Sequence, residues 1–242
     1  MRAFLLTFCL CIVLVGVAQA DSLHFRQVGR WGSAQLVGAA VKGKYAYVVG
    51  LSDDSVEGLH VLSLADIVHP VEVWRCSTMD VSFDVAVSGE YLYYADNGVG
   101  LRVFSISDPA NPLEVARWSK HSAWTVKISG NNAYVLDYRG LSIVSVADPL
   151  HPIEVGRINA PGNSDWSHVD VVGDYAYVAA LSSGLYVISV ADPTRPVEAG
   201  HYSPGEVTGV AVRDSYAYVG CVGSFISTSI ADPANPTANR RI

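Results

Sequence analysis

The chain has 242 residues, of which 50% are hydrophobic and 16% charged, a composition that supports a substantial buried core and excludes a disordered chain. Its 23 acidic and 16 basic side chains give a net charge of −7. Because proteins that bind nucleic acid present a basic surface to the phosphates, we expect no nucleic-acid partner.

The first twenty residues, MRAFLLTFCLCIVLVGVAQA, have the pattern of a secretory signal peptide. Arg2 supplies the positive charge, an apolar run extends from Ala3 to Ala18, and small residues at Ala18 and Ala20 flank Gln19. A transmembrane anchor is the alternative, but the apolar run is short for a bilayer and no stop-transfer charges follow it. We expect a secreted or periplasmic protein, with association with the cell surface left open. Its mature chain is expected to begin at Asp21, to form one domain over residues 21–242 and to have no membrane span.

One sequence unit recurs five times along the mature chain. It reads LHVLSLADIVHPVEVW at 59–74, LRVFSISDPANPLEVA at 101–116, LSIVSVADPLHPIEVG at 141–156, LYVISVADPTRPVEAG at 185–200 and FISTSIADPANPTANR at 225–240. The second proline of each unit, at positions 70, 112, 152, 196 and 236, gives spacings of 42, 40, 44 and 40. Such a period is typical of a propeller blade.

Each unit predicts four short strands, a to d, which are clearest in the fourth unit. Strand a is VDVV, strand b is YAYVA after the turn Gly173-Asp174, strand c is LYVISV, and strand d is VEAGHY after the turn ADPTRP. Strand c carries apolar side chains on both faces, so both faces of its sheet must be covered. Radially stacked blades cover both faces, and we therefore predict an all-β fold, a β-propeller of five four-stranded blades. A parallel β-helix is the alternative, but its coils are shorter.

The segments GLRVFSISDPANP, GLSIVSVADPLHP and GLYVISVADPTRP resemble the LVIVD-repeat family of exported bacterial and archaeal β-propellers. The resemblance covers residues 36–242 and implies the fold, while it leaves the function open. The last unit departs from the pattern, because Ser224-Phe225 replaces Gly-Leu and the polar residues Ser227 and Thr228 replace apolar ones. A fragment of a longer propeller therefore stays an open alternative.

Closure of the ring is predicted from a segment near the N-terminus. FRQVGRW, at residues 25–31, is similar to the strand d sequences PIEVGRI and PLEVARW. We expect residues 24–31 to pair with the last blade beside its strand c, which would remove both open edges. The polar segment TANRRI, at 237–242, is then expected to be displaced or frayed.

The repeated D-P-x-x-P turns are interpreted as structural. The aspartate is able to accept backbone N–H bonds within the turn, and the prolines restrict the unfolded chain. We assign no catalytic role to the five turn aspartates, Asp66, Asp108, Asp148, Asp192 and Asp232.

Function is expected where the units differ, at the end of the propeller formed by the loops from d to a and from b to c. We predict that polar and aromatic residues of blades two to four lie close together at this end of the propeller. The candidate ligand-binding residues are Asp84, Asp96, Trp124, Asp137, Tyr138, Trp166 and His168. The alternative for the aspartates is that they accept bonds from loop amides, and for the tryptophans that they fill gaps between blades.

We expect a noncatalytic binding propeller with an unknown protein or glycan as ligand, no catalytic residues and no cofactor. The alternative is a hydrolase or lyase that uses the Asp/His cluster, with or without a divalent metal. Motifs of common enzyme classes are missing from the sequence, but propellers assemble sites from distant residues. Cys76 and Cys221 are the cysteines of the mature chain, and a buried thiol is favoured for each over a disulfide between them.

Overall fold

The computed structural model describes residue 31 and residues 35–51, 57–77, 82–162 and 164–241. The expected signal peptide and residues 24–30 of the expected closing strand lie outside the described residues.

The described residues form twenty strands in five antiparallel sheets of four. The first sheet contains β1 (Gln35–Lys42), β2 (Tyr45–Leu51), β3 (Glu57–Ser63) and β4 (Val71–Ser77). The second contains β5 (Ser82–Ser88), β6 (Tyr91–Asp96), β7 (Gly100–Ser105) and β8 (Leu113–Trp118). The third contains β9 (Thr125–Ser129), β10 (Asn132–Asp137), β11 (Gly140–Ser145) and β12 (Ile153–Asn159).

The fourth sheet contains β13 (His168–Val172), β14 (Tyr175–Ala179), β15 (Leu185–Ser189) and β16 (Val197–Tyr202). The fifth contains β17 (Val207–Arg213), β18 (Tyr216–Cys221), β19 (Ser224–Ser229) and β20 (Thr237–Arg241). Every sheet runs a-b-c-d in chain order. The predicted propeller fold with five four-stranded units is therefore confirmed.

Local sequence accounts for the turns between strands a and b. Gly43, Gly89, Gly130 and Gly173 occupy the same turn position with φ between 56° and 59°. Asp214 takes this place in the fifth sheet with φ 55°. Glycine adopts this left-handed conformation without a steric cost, whereas aspartate is one of the few other residues that tolerate it.

The D-P-x-x-P turns have the structural role predicted for them. Asp192 Oδ1 accepts the N–H of Thr194 at 3.0 Å, and the aspartates of the other four turns make the same bond two residues ahead. The hydrogen bond from Thr194, followed by that from Arg195, lowers the pKa of Asp192. These aspartates stabilise turns between strands c and d.

Neighbouring sheets pack face to face, with their first strands adjacent in the order β1, β5, β9, β13 and β17. We call the face that meets the next sheet in chain order the forward face and the opposite one the rear face. Tyr134 and Leu141 on the forward face of the third sheet, for example, pack with Val169, Ala176 and Val178 on the rear face of the fourth. The second, third and fourth sheets each pack against a neighbour on both sides, and both of their faces are therefore apolar.

The forward face of the fifth sheet is exposed. Tyr218 of β18 is 37% exposed, whereas the equivalent tyrosines of the other four sheets are at most 4% exposed. Phe225 of β19 is 45% exposed, but the leucine at its position in each earlier sheet is fully buried. The two rings stack on each other at 6.1 Å.

The expected displacement of the C-terminal strand is wrong. β20 pairs with β19, with Thr237 opposite Ser229 and Arg241 opposite Ile226. Its residues therefore occupy the place that we assigned to the N-terminal segment. The outer strands of the other sheets are also largely exposed, as in β4 and β16, so a polar sequence is no obstacle there.

Cys76 and Cys221 are half-buried thiols that no disulfide joins, as the thiol interpretation expects. Cys76 packs against the core between the first two sheets, and Cys221 against the core between the fourth and fifth. In the part of the chain that is described, no helix has the length and hydropathy to cross a bilayer.

Candidate functional site

Asp84 lies on the inner strand β5 and connects two sheets. Its Oδ1 accepts the N–H of Val85 at 2.8 Å, and its Oδ2 accepts the N–H of Val126 on β9 at 3.0 Å. Burial raises the pKa of Asp84 to about 6, against the opposing effect of these two bonds and of Lys127. One oxygen therefore binds its own strand, and the other connects the second sheet to the third.

Asp170 makes the same connection between the fourth and fifth sheets, and sequence reasoning missed it. Its Oδ1 accepts the N–H of Val171 at 3.0 Å, and its Oδ2 accepts that of Val212 on β17 at 2.7 Å. Lys127 Nζ of β9 lies 2.7 Å from Asp170 Oδ1. The signal was an aspartate followed by valine inside strand a, which occurs at both Asp84 and Asp170.

His168 lies at the start of β13, half-buried, near Asp170 and Lys127. Burial is the largest cause of its lowered pKa, which Asp170 opposes and Lys127 reinforces. Asp84 and His168 thus lie on inner strands on either side of β9, with Lys127 acting on the pKa of both.

Asp96 ends β6 and is 2% exposed. Its Oδ1 accepts the N–H groups of Gly98 and Val99 at 3.0 and 3.2 Å, and its Oδ2 lies 3.3 Å from Arg102 Nη1. Arg102 also donates to Glu114 at 2.6 Å. Asp96 thus accepts hydrogen bonds from loop amides, which is the structural alternative considered for the candidate aspartates.

Asp137 ends β10 and connects two arginines of the third sheet. Its Oδ1 accepts the N–H of Arg139 at 2.7 Å, and both of its oxygens lie 3.0 Å from Arg157 Nη2. Arg157 Nε in turn donates to Asn159 Oδ1 at 3.2 Å. Asp137 therefore positions the turn after β10 and, through Arg157, the end of β12.

Three aromatic rings from the second and third sheets form a strip at the d-a and b-c end. Trp124 lies 5.4 Å from Phe83 and 6.1 Å from Tyr138, measured between ring centroids, and its Nε1 donates to Asn97 Oδ1 at 2.9 Å. Tyr138 is 43% exposed. We call Phe83, Trp124 and Tyr138 the aromatic strip.

Trp166 does not join this strip. It is 1% exposed and packs in the core between the third and fourth sheets, 5.7 Å from Tyr186. Among the described residues its indole N–H has no hydrogen-bond partner. The gap-filling interpretation describes Trp166, because no surface of its ring is left for a ligand.

A cleft of about 620 Å³ opens beside the aromatic strip, at the boundary of the third and fourth sheets. Three segments line it: the turn after β10, the end of β12 and the loop that leads to β13. The lining residues are Tyr138, Arg139, Asn159, Ala160, Gly162, Ser164 and Asp165. We call this space the Tyr138 cleft.

The structure thus divides the seven candidate residues. Trp124 and Tyr138 contact each other, and Asp137 holds the turn after β10 that carries Tyr138. Asp84, Asp96 and Trp166 are engaged in internal contacts, and His168 lies on an inner strand. No group of three or more His, Cys, Asp or Glu side chains is arranged for a metal ion among the residues described.

The LVIVD repeat matches the chain in five consecutive segments, residues 32–78, 81–119, 121–160, 164–203 and 204–241. No curated protein sequence matches the chain.

Solved structures with low identity share the fold. The computationally designed Ika8 protein has a TM-score of 0.65 and 9% identity over 86% of this chain, which spans 61% of the designed chain. A functionally unknown protein from Desulfotomaculum acetoxidans has a TM-score of 0.71 and 11% identity over 90% of this chain and 74% of its own. The periplasmic gluconolactonase of Pseudomonas aeruginosa has a TM-score of 0.73 and 14% identity over 86% of this chain and 70% of its own. At these identities the likeness concerns the fold alone.

Proposed function

We propose that this chain, which belongs to the LVIVD-repeat family, is an exported, noncatalytic binding protein that takes a protein or glycan ligand at the d-a and b-c end. The observation that carries this proposal is the exposed ring of Tyr138 beside the Tyr138 cleft. An exposed aromatic ring next to a concave surface is typical of a binding site.

The contacts of the three candidate aspartates, Asp84, Asp96 and Asp137, support a structural role for these side chains rather than a catalytic one. A general acid or base needs a carboxyl oxygen that is free to reach the ligand. Asp84 accepts two backbone N–H groups, Asp96 caps a turn and contacts Arg102, and Asp137 is bonded to Arg157 and Arg139. No observation favours the hydrolase or lyase alternative over this assignment.

The expected signal peptide supports export. Its test is N-terminal sequencing of the protein recovered from the periplasm or medium of a bacterial expression host. A mature chain that begins at Asp21 supports the proposal, and a chain that keeps residues 1–20 and stays in the cytoplasm contradicts it.

Ligand binding is tested on peptide and glycan arrays with the purified chain and two matched variants. Tyr138→Ala removes the exposed ring from the proposed face, and Tyr216→Ala removes a ring of similar exposure, 40%, from the fifth sheet. We expect array signals that Tyr138→Ala abolishes and Tyr216→Ala leaves unchanged. Signals equally strong in both variants place binding elsewhere and refute the proposed face.

A further inference from the structure

The polar side chains of the Tyr138 cleft include two opposite charges that do not pair. Arg139 and Asp165 both line the cleft, yet no ion pair joins them, and neither side chain has another hydrogen-bond or ion-pair partner within the described residues. The Arg139 guanidinium instead lies over the Tyr138 ring, 4.9 Å from its centroid. The same cleft therefore presents both unpaired donors and unpaired acceptors.

Neighbouring residues fix the position of a third polar group. Arg157 donates to the side-chain oxygen of Asn159, which leaves the amide NH₂ of Asn159 as a donor at the cleft. Arg157 is itself bound by both oxygens of Asp137. Such support from a second layer of residues is typical of sites that bind a ligand in one orientation.

The backbone of the cleft is also fixed. Asp137 accepts the N–H of Arg139, and the N–H of Ala160 donates to the carbonyl oxygen of Arg139 at 2.8 Å. Ser164 Oγ donates to Ser183 Oγ at 2.9 Å, which connects the loop before β13 to the fourth sheet. The walls of the cleft are thus joined to both sheets, and its shape is largely formed without a ligand.

We infer that the Tyr138 cleft binds a hexopyranose unit of an oligosaccharide. This inference rests on the proposed binding function and names its ligand. A sugar ring has an apolar C–H face, which packs on an aromatic ring, and hydroxyl groups that donate and accept at the same time. Tyr138 supplies the ring, Asp165 the acceptor, and Arg139 and Asn159 the donors.

Other ligand classes fit the lining less well. A phosphate group would be attracted by Arg139 but repelled by Asp165 in the same cleft. A purely apolar ligand would bury the charges of Arg139 and Asp165 without partners, which is unfavourable. Peptides stay the main alternative, because they also combine donors and acceptors.

The test is a glycan array of neutral, amino and acidic hexopyranose oligosaccharides, followed by calorimetric titration of the purified chain with the strongest array ligand. We expect Tyr138→Ala to abolish binding and Asp165→Asn and Asn159→Ala each to weaken it at least about tenfold, a loss of one charge-assisted or buried hydrogen bond. Matched controls are Tyr216→Ala and Asp192→Asn, which change an exposed tyrosine and an exposed aspartate outside the cleft. Each variant must keep the melting temperature of the parent.

The outcomes separate this inference from the proposed function. An array without any glycan signal overturns the inference, and so does glycan binding that survives Tyr138→Ala. If a peptide array gives Tyr138-dependent signals while the glycan array gives none, the binding function stands and the glycan assignment fails. If neither array responds, both fail.

Discussion

Replacing Asp84 by asparagine changes how the stability of the protein depends on pH. Burial raises the pKa of Asp84 from 3.8 to about 6 in the folded state. Well below pH 3.8 the carboxyl group is protonated in both states, and its contribution to stability is fully present. As the pH rises from 4 through 6, the unfolded chain releases this proton first, so the free energy of unfolding falls.

A difference of about 2 pKa units corresponds to about 3 kcal/mol over the whole titration, of which about 2.5 kcal/mol is lost between pH 4 and pH 7. The side chain of Asp84→Asn does not titrate and should lack this slope. We therefore expect the free energy of unfolding of the parent, minus that of Asp84→Asn, to be about 2.5 kcal/mol smaller at pH 7 than at pH 4.

The assay is urea denaturation followed by tryptophan fluorescence at pH values from 4 to 7.5, because the buried ring of Trp166 reports loss of the core. His168 has a lowered pKa, so it removes stability as the pH falls, opposite in sign to Asp84. Both proteins contain His168, and its effect cancels in the difference. A difference that stays constant with pH, or that grows as the pH rises, would refute the reasoning that burial outweighs the two backbone bonds of Asp84.

Three further experiments test the packing and one buried ion pair. Gly38→Ala should destabilise the chain by about 1–3 kcal/mol, because a Cβ there would lie 2.8 Å from backbone atoms of the second sheet. Gly209→Ala, at the same position of the fifth sheet, should change stability by less than about 0.5 kcal/mol, because a Cβ there has nothing within 4 Å. Equal shifts of the two melting temperatures would contradict this. Tyr134→Ala should lower the free energy of unfolding, measured by urea denaturation, by about 3–5 kcal/mol, and Tyr218→Ala should lower it by less than half of that. The reason is that Tyr134 is 4% exposed and Tyr218 is 37% exposed. The opposite ranking would show that the fifth sheet is covered in solution. Arg102→Leu should lower the free energy of unfolding by about 3–5 kcal/mol, because it leaves the buried carboxylate of Asp96 without its cation. A loss below about 1 kcal/mol in the same assay would count against the Arg102–Asp96 ion pair.

The repeat and the strand pattern were sufficient to predict the fold. The tyrosine of strand b and the D-P-x-x-P turn recur with the period of a blade, and local turn chemistry follows from residues such as Gly89 and Asp192. The place of the last strand was not predictable from polarity, because outer strands such as β16 bury little of their surface. Pairing there depends on backbone hydrogen bonds that Thr237–Arg241 supply as well as any other segment.

The candidate site was predicted only in part, since sequence alone does not show which partner a polar side chain has. Trp124 and Tyr138 follow from their place in loops at one end of the fold. The cleft residues Asn159 and Asp165 carried no signal, because they lie at a strand end and in a loop that vary between units. Asp170 had a signal in the Asp-Val pair that it shares with Asp84, but its partner Val212 is 42 residues away.

The uncovered forward face of the fifth sheet has a consequence for the order in which the protein unfolds. In the described part of the chain, sheets contact their neighbours in chain order, so the cohesion of each sheet depends mainly on the one or two interfaces that it shares. The second, third and fourth sheets have an interface on both sides, and the fifth has one. Amide protons of β18 and β19 should therefore exchange with solvent sooner than those of β10 and β11, and limited proteolysis should begin at the C-terminal repeat while the central repeats stay intact.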